Sequence, residues 1–319
     1  MTYILLIVGF VLLIKGADFF VEGSSSVAKL LKVPPIIIGL TVVAFGTSMP
    51  EAAVSITAAM RGDSGLAVSN VLGSNIFNLM VVLGCSALMR PIVSSRQVVK
   101  RELPFSIAIT VLLAVLCTKF SFGGLMNGTA SYQLGRFSGL FLLVLFVIFL
   151  VCQVKEAMKA RNENDGEDYK TLSPLKSVLF IVGGLIAIVA GGNMVVESAT
   201  DIAVAFGFSQ TFIGLTIVAM GTSLPELVTS MVAAKKGETE LALGNVVGSN
   251  IFNILLILGA SSAISPIAVE TNAIFDMVIL VVMSIIAYVC AQTKETLSKK
   301  EGVLFLMTYA VYFFYIYNR

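Results

Sequence analysis

Long apolar stretches separated by short polar segments follow one another along the whole chain. Apolar stretches of about 18 residues or more are typical of transmembrane helices. The pattern therefore predicts an all-α membrane protein with ten transmembrane helices. The predicted spans lie near residues 2–23, 34–60, 65–89, 102–119, 136–153, 174–197, 209–233, 240–264, 271–291 and 302–317.

One long polar stretch, residues 154–173, divides the chain near its middle. Its alternating charges indicate a solvated linker between a first half, 1–153, and a second half, 174–319. The loops on the linker's side of the membrane hold 16 of the 21 lysines and arginines. By the positive-inside rule, the linker is cytoplasmic and both termini are outside, in a multi-pass protein of the cell membrane.

The two halves are related by a shift of 175 residues. The shift aligns IIGLTVVAFGTSMPEAAVSITAAMRG with FIGLTIVAMGTSLPELVTSMVAAKKG, and NVLGSNIFN with NVVGSNIFN. Between Gly39 and Pro91, 28 of 53 positions are identical without a gap. Each half holds five predicted spans, an odd number, so the second half enters the membrane upside down. Two inverted-topology five-helix repeats are typical of secondary transporters.

The composition narrows the chemistry. The chain is 57% hydrophobic and 13% charged, has a net charge of +2 and contains no histidine. Without histidine it lacks the usual general base, so we expect no enzyme and no organic cofactor. The small net charge gives no reason to expect nucleic acid. The four cysteines are widely spaced in apolar surroundings, which is typical of small buried hydrophobic residues and not of metal ligands. With histidine also absent, any bound metal is expected to be a hard ion held by oxygens.

The segment AFGTSMPE, residues 44–51, interrupts an apolar span. Gly46 and Pro50 predict a helix break around residues 45–49, with the carbonyls of Ala44 and Thr47 left without intrahelical partners. Such backbone is tolerated in a bilayer only where it lines a cavity or is buried in protein. The predicted ligands of this segment and of its repeat are Ala44, Thr47, Ser48, Glu51, Ala219, Thr222, Ser223 and Glu226.

Ser48 and Glu51 also fit a capping box, in which the glutamate only satisfies the first turn of the resumed helix. A carboxylate at mid-depth costs roughly 2.5–3.5 kcal/mol on insertion scales, however, and a cap needs no charge. Two repeat-related glutamates therefore favour an ion site.

The second motif, GSNIFN, places Ser74 and Asn78 on one helix face, and its repeat places Ser249 and Asn253 likewise. Small and amide residues also join helices in membranes, and this alternative stays open for the other asparagines of the motifs. These asparagines are Asn70, Asn75, Asn245 and Asn250. The complete set offers oxygen ligands only, which suits Ca²⁺ or Na⁺ and disfavours zinc and copper.

GTS-PE followed by GSNIFN, in two inverted copies across ten spans, resembles the sodium/calcium exchanger family of the cation/calcium antiporter superfamily, in its short prokaryotic form. The resemblance implies a core of the second, third, seventh and eighth spans, past which the first and sixth slide for alternating access. It implies ion ligands at the twelve positions named above. The implied activity is antiport of calcium and sodium, and we expect the chain to work as a monomer.

Asn253 departs from the family pattern, in which characterised exchangers carry an aspartate. Glu51 and Glu226 supply a charge of −2, which neutralises one Ca²⁺ or two Na⁺ but not three Na⁺. An empty site with two nearby carboxylates would also tend to hold a proton, since like charges disfavour double ionisation. A calcium/proton antiporter is therefore the alternative. An ion channel could use the same oxygen ligands, but it would conduct without a counter-ion. An intramembrane hydrolase would need a nucleophile or a catalytic dyad.

Overall fold

The computed structural model describes residues 2–96, 98–118, 132–163, 171–207 and 219–318. Helices account for nearly all of them. In chain order the helices are α1 (Thr2–Leu31), α2 (Pro35–Thr47), α3 (Met49–Met60), α4 (Gly65–Met89), α5 (Val98–Thr118), α6 (Arg136–Glu163), α7 (Pro174–Ala205), α8 (Ala219–Gly221), α9 (Leu224–Lys236), α10 (Thr239–Ile264), α11 (Thr271–Lys294) and α12 (Lys299–Tyr317). Four of these helices contain π-helical segments, at Gly39–Val43, Asn78–Val82, Val98–Glu102 and Asn253–Leu258.

Seven helices of the described chain are long and apolar enough to cross a membrane. The pair α2 and α3 adds an eighth span, bent by 51° at its break. The prediction of a helical, multi-pass membrane protein is therefore confirmed. The predicted span 209–233 begins on residues that lie outside the described part. Helix α12 lies at the last predicted span but is not among the helices counted above. The number of ten spans therefore stays a prediction.

Helix α6 differs from the prediction at its carboxyl end. It continues to Glu163, ten residues beyond the predicted end at residue 153 and into the predicted linker. The segment KEAMKAR consists of strong helix formers, so polarity ends the apolar span there without ending the helix. Residues 164–170 of the linker lie outside the described residues.

Two helices form the centre of the bundle. In the most apolar window of α10, 94% of the residues are buried, and 78% in that of α4, against 28–44% in the other five spanning helices. Helices α4 and α10 carry the two GSNIFN motifs. The sequence motifs therefore lie where surrounding helices exclude both lipid and water.

Helices α1 and α7 lie antiparallel along a line of small residues spaced seven apart. The line consists of Gly9, Gly16 and Gly23 on α1 and Ser177, Gly184 and Gly191 on α7. A Cβ added at Gly184 would lie 2.7 Å from the carbonyl oxygen of Gly16, so the two backbones touch. Small residues at this line permit the close packing that joins helices in lipid.

Two short antiparallel strand pairs join distant loops. Strand β1 (Ile92–Val93) pairs with β4 (Thr296–Leu297), and β2 (Tyr132–Leu134) pairs with β3 (Ile267–Val269). Each pair links a loop of the first half of the chain to a loop of the second, so the halves are tied together at both pairs.

Candidate ion-binding site

The two predicted helix breaks are present. Helix α2 ends at Thr47, Ser48 lies between, and α3 begins at Met49 with Pro50 in its first turn. In the second half α8 ends at Gly221, and α9 begins at Leu224. Proline is favoured in a first helical turn because its missing N–H has no partner to lose there. The predicted break at residues 45–49 is thus confirmed at Ser48.

The expectation for the backbone of Ala44 is wrong. Its carbonyl accepts a hydrogen bond from the Ser48 N–H at 3.1 Å. Pro50 removes the N–H that would reach four residues back to Gly46, not to Ala44. Thr47 Oγ1 also lies 3.4 Å from this carbonyl oxygen. A ligand role for Ala44 would therefore require the Thr47 hydroxyl to leave the second lone pair of the carbonyl to the ion. Its repeat counterpart Ala219 lies in α8.

Two fully buried carboxylates face each other's helix break. Ser48 Oγ donates to Glu226 Oε1 at 2.9 Å, and Ser223 Oγ donates to Glu51 Oε1 at 3.0 Å. Neither serine makes a side-chain capping bond to its own helix. The capping-box alternative is therefore contradicted, because each serine donates its hydrogen bond to the glutamate of the other half.

Six of the buried side-chain oxygens that have no hydrogen-bond partner within the described part of the chain belong to the two motifs and their repeats. They are Oε2 of Glu51 and Glu226, Oγ of Ser74 and Ser249, and Oδ1 of Asn78 and Asn253. Buried polar atoms are nearly always hydrogen-bonded, and each exception needs an explanation. Two carboxylate, two hydroxyl and two amide oxygens form a donor set that fits a hard cation such as Ca²⁺.

The two carboxylates lack a positive partner. Among the residues that the structure describes, neither Glu51 nor Glu226 forms a salt bridge. A buried charge without a counter-charge is strongly unfavourable. The centre therefore requires either cations or protons for its neutralisation.

The threonines of the GTS motifs bond across to asparagines of α4 and α10. Thr47 Oγ1 donates to Asn245 Oδ1 at 3.0 Å, and Thr222 Oγ1 donates to Asn70 Oδ1 at 3.5 Å. The amide nitrogens of Asn70 and Asn245 in turn donate to serine hydroxyls at 2.9 Å. These bonds of the two asparagines join α4 and α10 to the broken helices, as the helix-joining alternative describes.

The serines that receive these bonds, Ser55 and Ser230, were not predicted as part of the site. Both are fully buried. They are identical at the 175-residue shift, and the asparagines that contact them are identical too. This coincidence of two polar identities was the signal in the sequence that could have identified them.

Eleven of the twelve predicted ligands have described side chains, and ten of these are buried. Thr222 is half-buried. Asn78 and Asn253 each begin a π-helical segment. Such segments occur frequently at functional sites, because they shift the register of the helix and release backbone groups for other bonds.

A separate cavity of about 480 Å³ lies at the carboxyl-terminal end of α1. Glu22, Lys29 and Lys236 are among the residues that line it. Lys236 Nζ lies 3.3 Å from Asp18 Oδ1 and 3.9 Å from Glu22 Oε2. Glu22 is thus paired near the surface and does not join the buried carboxylates.

A bundle of membrane-spanning helices around two buried carboxylates is typical of membrane proteins that transport ions. Comparison with known families agrees. The family model described as "Sodium/calcium exchanger protein" matches residues 1–155 and 176–318. The chain belongs to the sodium/calcium exchanger family.

Relatives with similar sequences support this membership. The chain is 37% identical to the inner membrane protein YrbG of Escherichia coli (strain K12), over 98% of this chain and 96% of YrbG. It is 33% identical to the sodium/calcium exchanger MaX1 of Methanosarcina acetivorans, over 98% of this chain and 97% of MaX1.

A solved structure has the same fold. The sodium-calcium exchanger NCX_Mj, soaked with 2.5 mM Na⁺ and 0.1 mM Ca²⁺, superposes with a TM-score of 0.82 at 33% identity, covering 97% of this chain and 96% of NCX_Mj. Fold and family together support a cation/calcium antiporter. Members of the family are exchangers, which agrees with the expectation of a transporter and not an enzyme.

Proposed function

We propose that the protein is a secondary active antiporter that exchanges calcium for sodium across the cell membrane by alternating access. The observation that carries the proposal is the group of six unpartnered, buried oxygens around the two crossed carboxylates. Buried polar atoms without partners are unfavourable, and a hard cation coordinated by these oxygens would satisfy them. Sodium and calcium have similar radii and compete for such oxygens.

We assign the ligands to the twelve predicted positions. Glu51 and Glu226 supply the charge, and the serine, threonine and asparagine oxygens supply neutral ligands. The carbonyls of Ala44 and Ala219 complete the set. The NCX_Mj structure was soaked with Na⁺ and Ca²⁺, which supports these ions as the substrates here. Transport by this mechanism requires no organic cofactor, and one chain contains both halves of the site, so a monomer suffices.

The site is proposed to lie between two inverted five-helix repeats, residues 1–153 and 174–319, joined by the linker 154–173. Reciprocal hydrogen bonds support the proposal. The bond from Ser48 to Glu226 and the bond from Ser223 to Glu51 exchange places under the 175-residue shift. Strict reciprocity of this kind is expected when two copies of one unit face each other across a two-fold axis. The distribution of lysines and arginines favours a cytoplasmic linker and termini outside.

The charge of the centre bears on the coupling ion. With Asn253 in place of an acid, the site carries −2, which one Ca²⁺ or two Na⁺ neutralise. A third Na⁺ would leave an excess positive charge in a region of low dielectric, where uncompensated charge is costly. We therefore propose that the stoichiometry differs from three Na⁺ for one Ca²⁺.

A proton-coupled exchanger is the second candidate. Two buried carboxylates that form no salt bridge among the described residues must be neutralised after the cations leave, and two protons achieve this. Proton binding at the same two glutamates would then drive calcium export.

The test is uptake of radioactive calcium into proteoliposomes loaded with sodium, with potassium, or with acid in the absence of sodium. Uptake driven by internal sodium alone supports the sodium exchanger. Uptake driven by internal acid at zero sodium supports the proton exchanger. Calcium entry that is independent of both gradients would refute antiport and indicate a channel.

A further inference from the structure

The two asparagines next to the proposed ligands, Asn75 and Asn250, are bonded to each other's backbone. Asn75 Nδ2 donates to the carbonyl oxygen of Asn250 at 3.2 Å, and Asn250 Nδ2 donates to the carbonyl oxygen of Asn75 at 3.2 Å. Both side chains are buried. A backbone carbonyl can only accept, so it must face the NH₂ group of the amide and never its oxygen. The orientation of both side-chain amides is thereby determined.

This orientation passes to the ligand asparagines. Because the NH₂ of Asn75 faces a carbonyl, its Oδ1 faces the other way, where Asn253 Nδ2 donates to it at 2.9 Å. Likewise Asn78 Nδ2 donates to Asn250 Oδ1 at 3.2 Å. With their nitrogens bound, Asn78 and Asn253 can offer only oxygen to the centre. These two oxygens are among the six that have no partner in the described chain.

We propose that Asn75 and Asn250 are positioning residues that force the amides of Asn253 and Asn78 to present oxygen, not NH₂, to the transported cation. An amide turned the other way would place two partly positive hydrogens against the ion. The backbone carbonyls of Asn250 and Asn75 determine how the amides of Asn75 and Asn250 are turned. Each of these amides then orients the ligand asparagine of the other half by accepting its N–H. The inference rests on the proposed ion site.

The arrangement also explains why the neighbouring positions are amides. An asparagine at 253 or 78 can donate to the amide oxygen on one side and present its own oxygen to the centre on the other. It does so without adding a charge. The crossed asparagines therefore contribute to keeping the charge of the site at −2.

The proposal predicts a specific pattern of energetic coupling in calcium binding. Outer residues that orient metal ligands typically contribute about 10- to 100-fold in affinity, and we expect a loss of this size for Asn75→Leu. Since Asn75 acts through Asn253, adding Asn75→Leu to Asn253→Leu should cause almost no further loss. Asn75→Leu combined with Asn78→Leu should lose more affinity than either change alone, because Asn78 is bonded to Asn250 and not to Asn75.

The experiment measures calcium affinity by titration calorimetry and calcium-uptake kinetics on the full-length purified protein. A positioning role raises the calcium concentration for half-maximal uptake more than it lowers the maximal rate. Asn193→Leu, at an exposed asparagine of α7, is the control for loss of an asparagine from a membrane helix. Asn75→Ser, which leaves room for a water molecule, is the second variant if Asn75→Leu does not fold.

The outcomes separate this inference from the proposed function. Wild-type protein that binds calcium, together with Asn75 variants of unchanged affinity, would overturn the positioning role alone. Losses that multiply for Asn75 and Asn253 would overturn it as well. A wild-type protein that binds no calcium would overturn the ion site itself. A loss of calcium affinity in Asn75→Leu that does not add to the loss in Asn253→Leu would support both the positioning role and the ion site.

Discussion

Replacement of Glu51 by glutamine removes one charge while it keeps the shape of the side chain. Ser223 can still donate to the amide oxygen of the new side chain, as it does to Glu51 Oε1 at 3.0 Å. The change therefore tests charge and not packing. We expect calcium transport to be abolished in this variant, and in Glu226→Gln for the same reason.

The magnitude follows from Coulomb's law. With a Ca²⁺–oxygen distance of about 2.4 Å and an effective dielectric constant of about 20, the attraction between Ca²⁺ and one carboxylate is roughly 14 kcal/mol. Desolvation of the ion and the carboxylate offsets most of it. If only about a fifth survives, nearly 3 kcal/mol, calcium binding weakens about 100-fold. At a calcium concentration near the wild-type dissociation constant, a site about 100-fold weaker is only about 1% occupied, so uptake is nearly abolished.

The assay is calcium uptake into sodium-loaded proteoliposomes, with the reconstituted amount of each variant matched. Glu197→Gln is the control, because Glu197 also lies on a membrane helix of the second half but is exposed. It should transport at the wild-type rate. Wild-type uptake by both Glu51→Gln and Glu226→Gln would refute the assignment of the buried carboxylates to the ion.

Three further predictions address other parts of the account. Ser48→Ala removes a 2.9 Å hydrogen bond to Glu226, and because such bonds to a charged group contribute about 1.5–3 kcal/mol, calcium affinity measured by calorimetry should fall at least 10-fold. Unchanged affinity would contradict the role of the hydrogen bond from the serine of one half to the glutamate of the other. Asn253→Asp adds a third acid and should change the number of sodium ions exchanged per calcium, measured from the flux reversal potential; an identical ratio would contradict the charge argument. Gly184→Ala places a Cβ 2.7 Å from an α1 carbonyl oxygen and should lower the free energy of unfolding by about 1–3 kcal/mol, measured by thermal unfolding. Gly183→Ala, whose Cβ would have nothing within 4 Å, is the control, and equal stability of the two variants would contradict the close packing of α1 and α7.

Local signals in the sequence were sufficient for some features of the site. Gly46 and Pro50 disfavour a continuous helix wherever they occur, so the break could be placed without the structure. The cost of a carboxylate in a membrane likewise predicts a functional role for Glu51. The error at Ala44 arose from assigning the effect of Pro50 to the wrong carbonyl, although the four-residue period of the helix specifies Gly46.

Contacts between the halves were beyond the reach of local reasoning. The 175-residue repeat indicated that Asn75 and Asn250 are equivalent, but not that each bonds the other's backbone. Such a contact depends on how two distant helices cross, and periodicity within one helix says nothing about that crossing. For the same reason Ser48 fitted a capping box in sequence and yet bonds to Glu226 in the fold.

Obligatory exchange is the central claim, and a double-label flux measurement tests it most directly. Vesicles containing the purified protein are loaded with radioactive sodium and diluted into radioactive calcium, and both ions are followed in one sample. The account predicts that calcium enters only when sodium is inside, and that sodium leaves only when calcium is outside, in a constant ratio. Calcium entry into sodium-free vesicles at the same rate, with no opposing acid gradient, would contradict it.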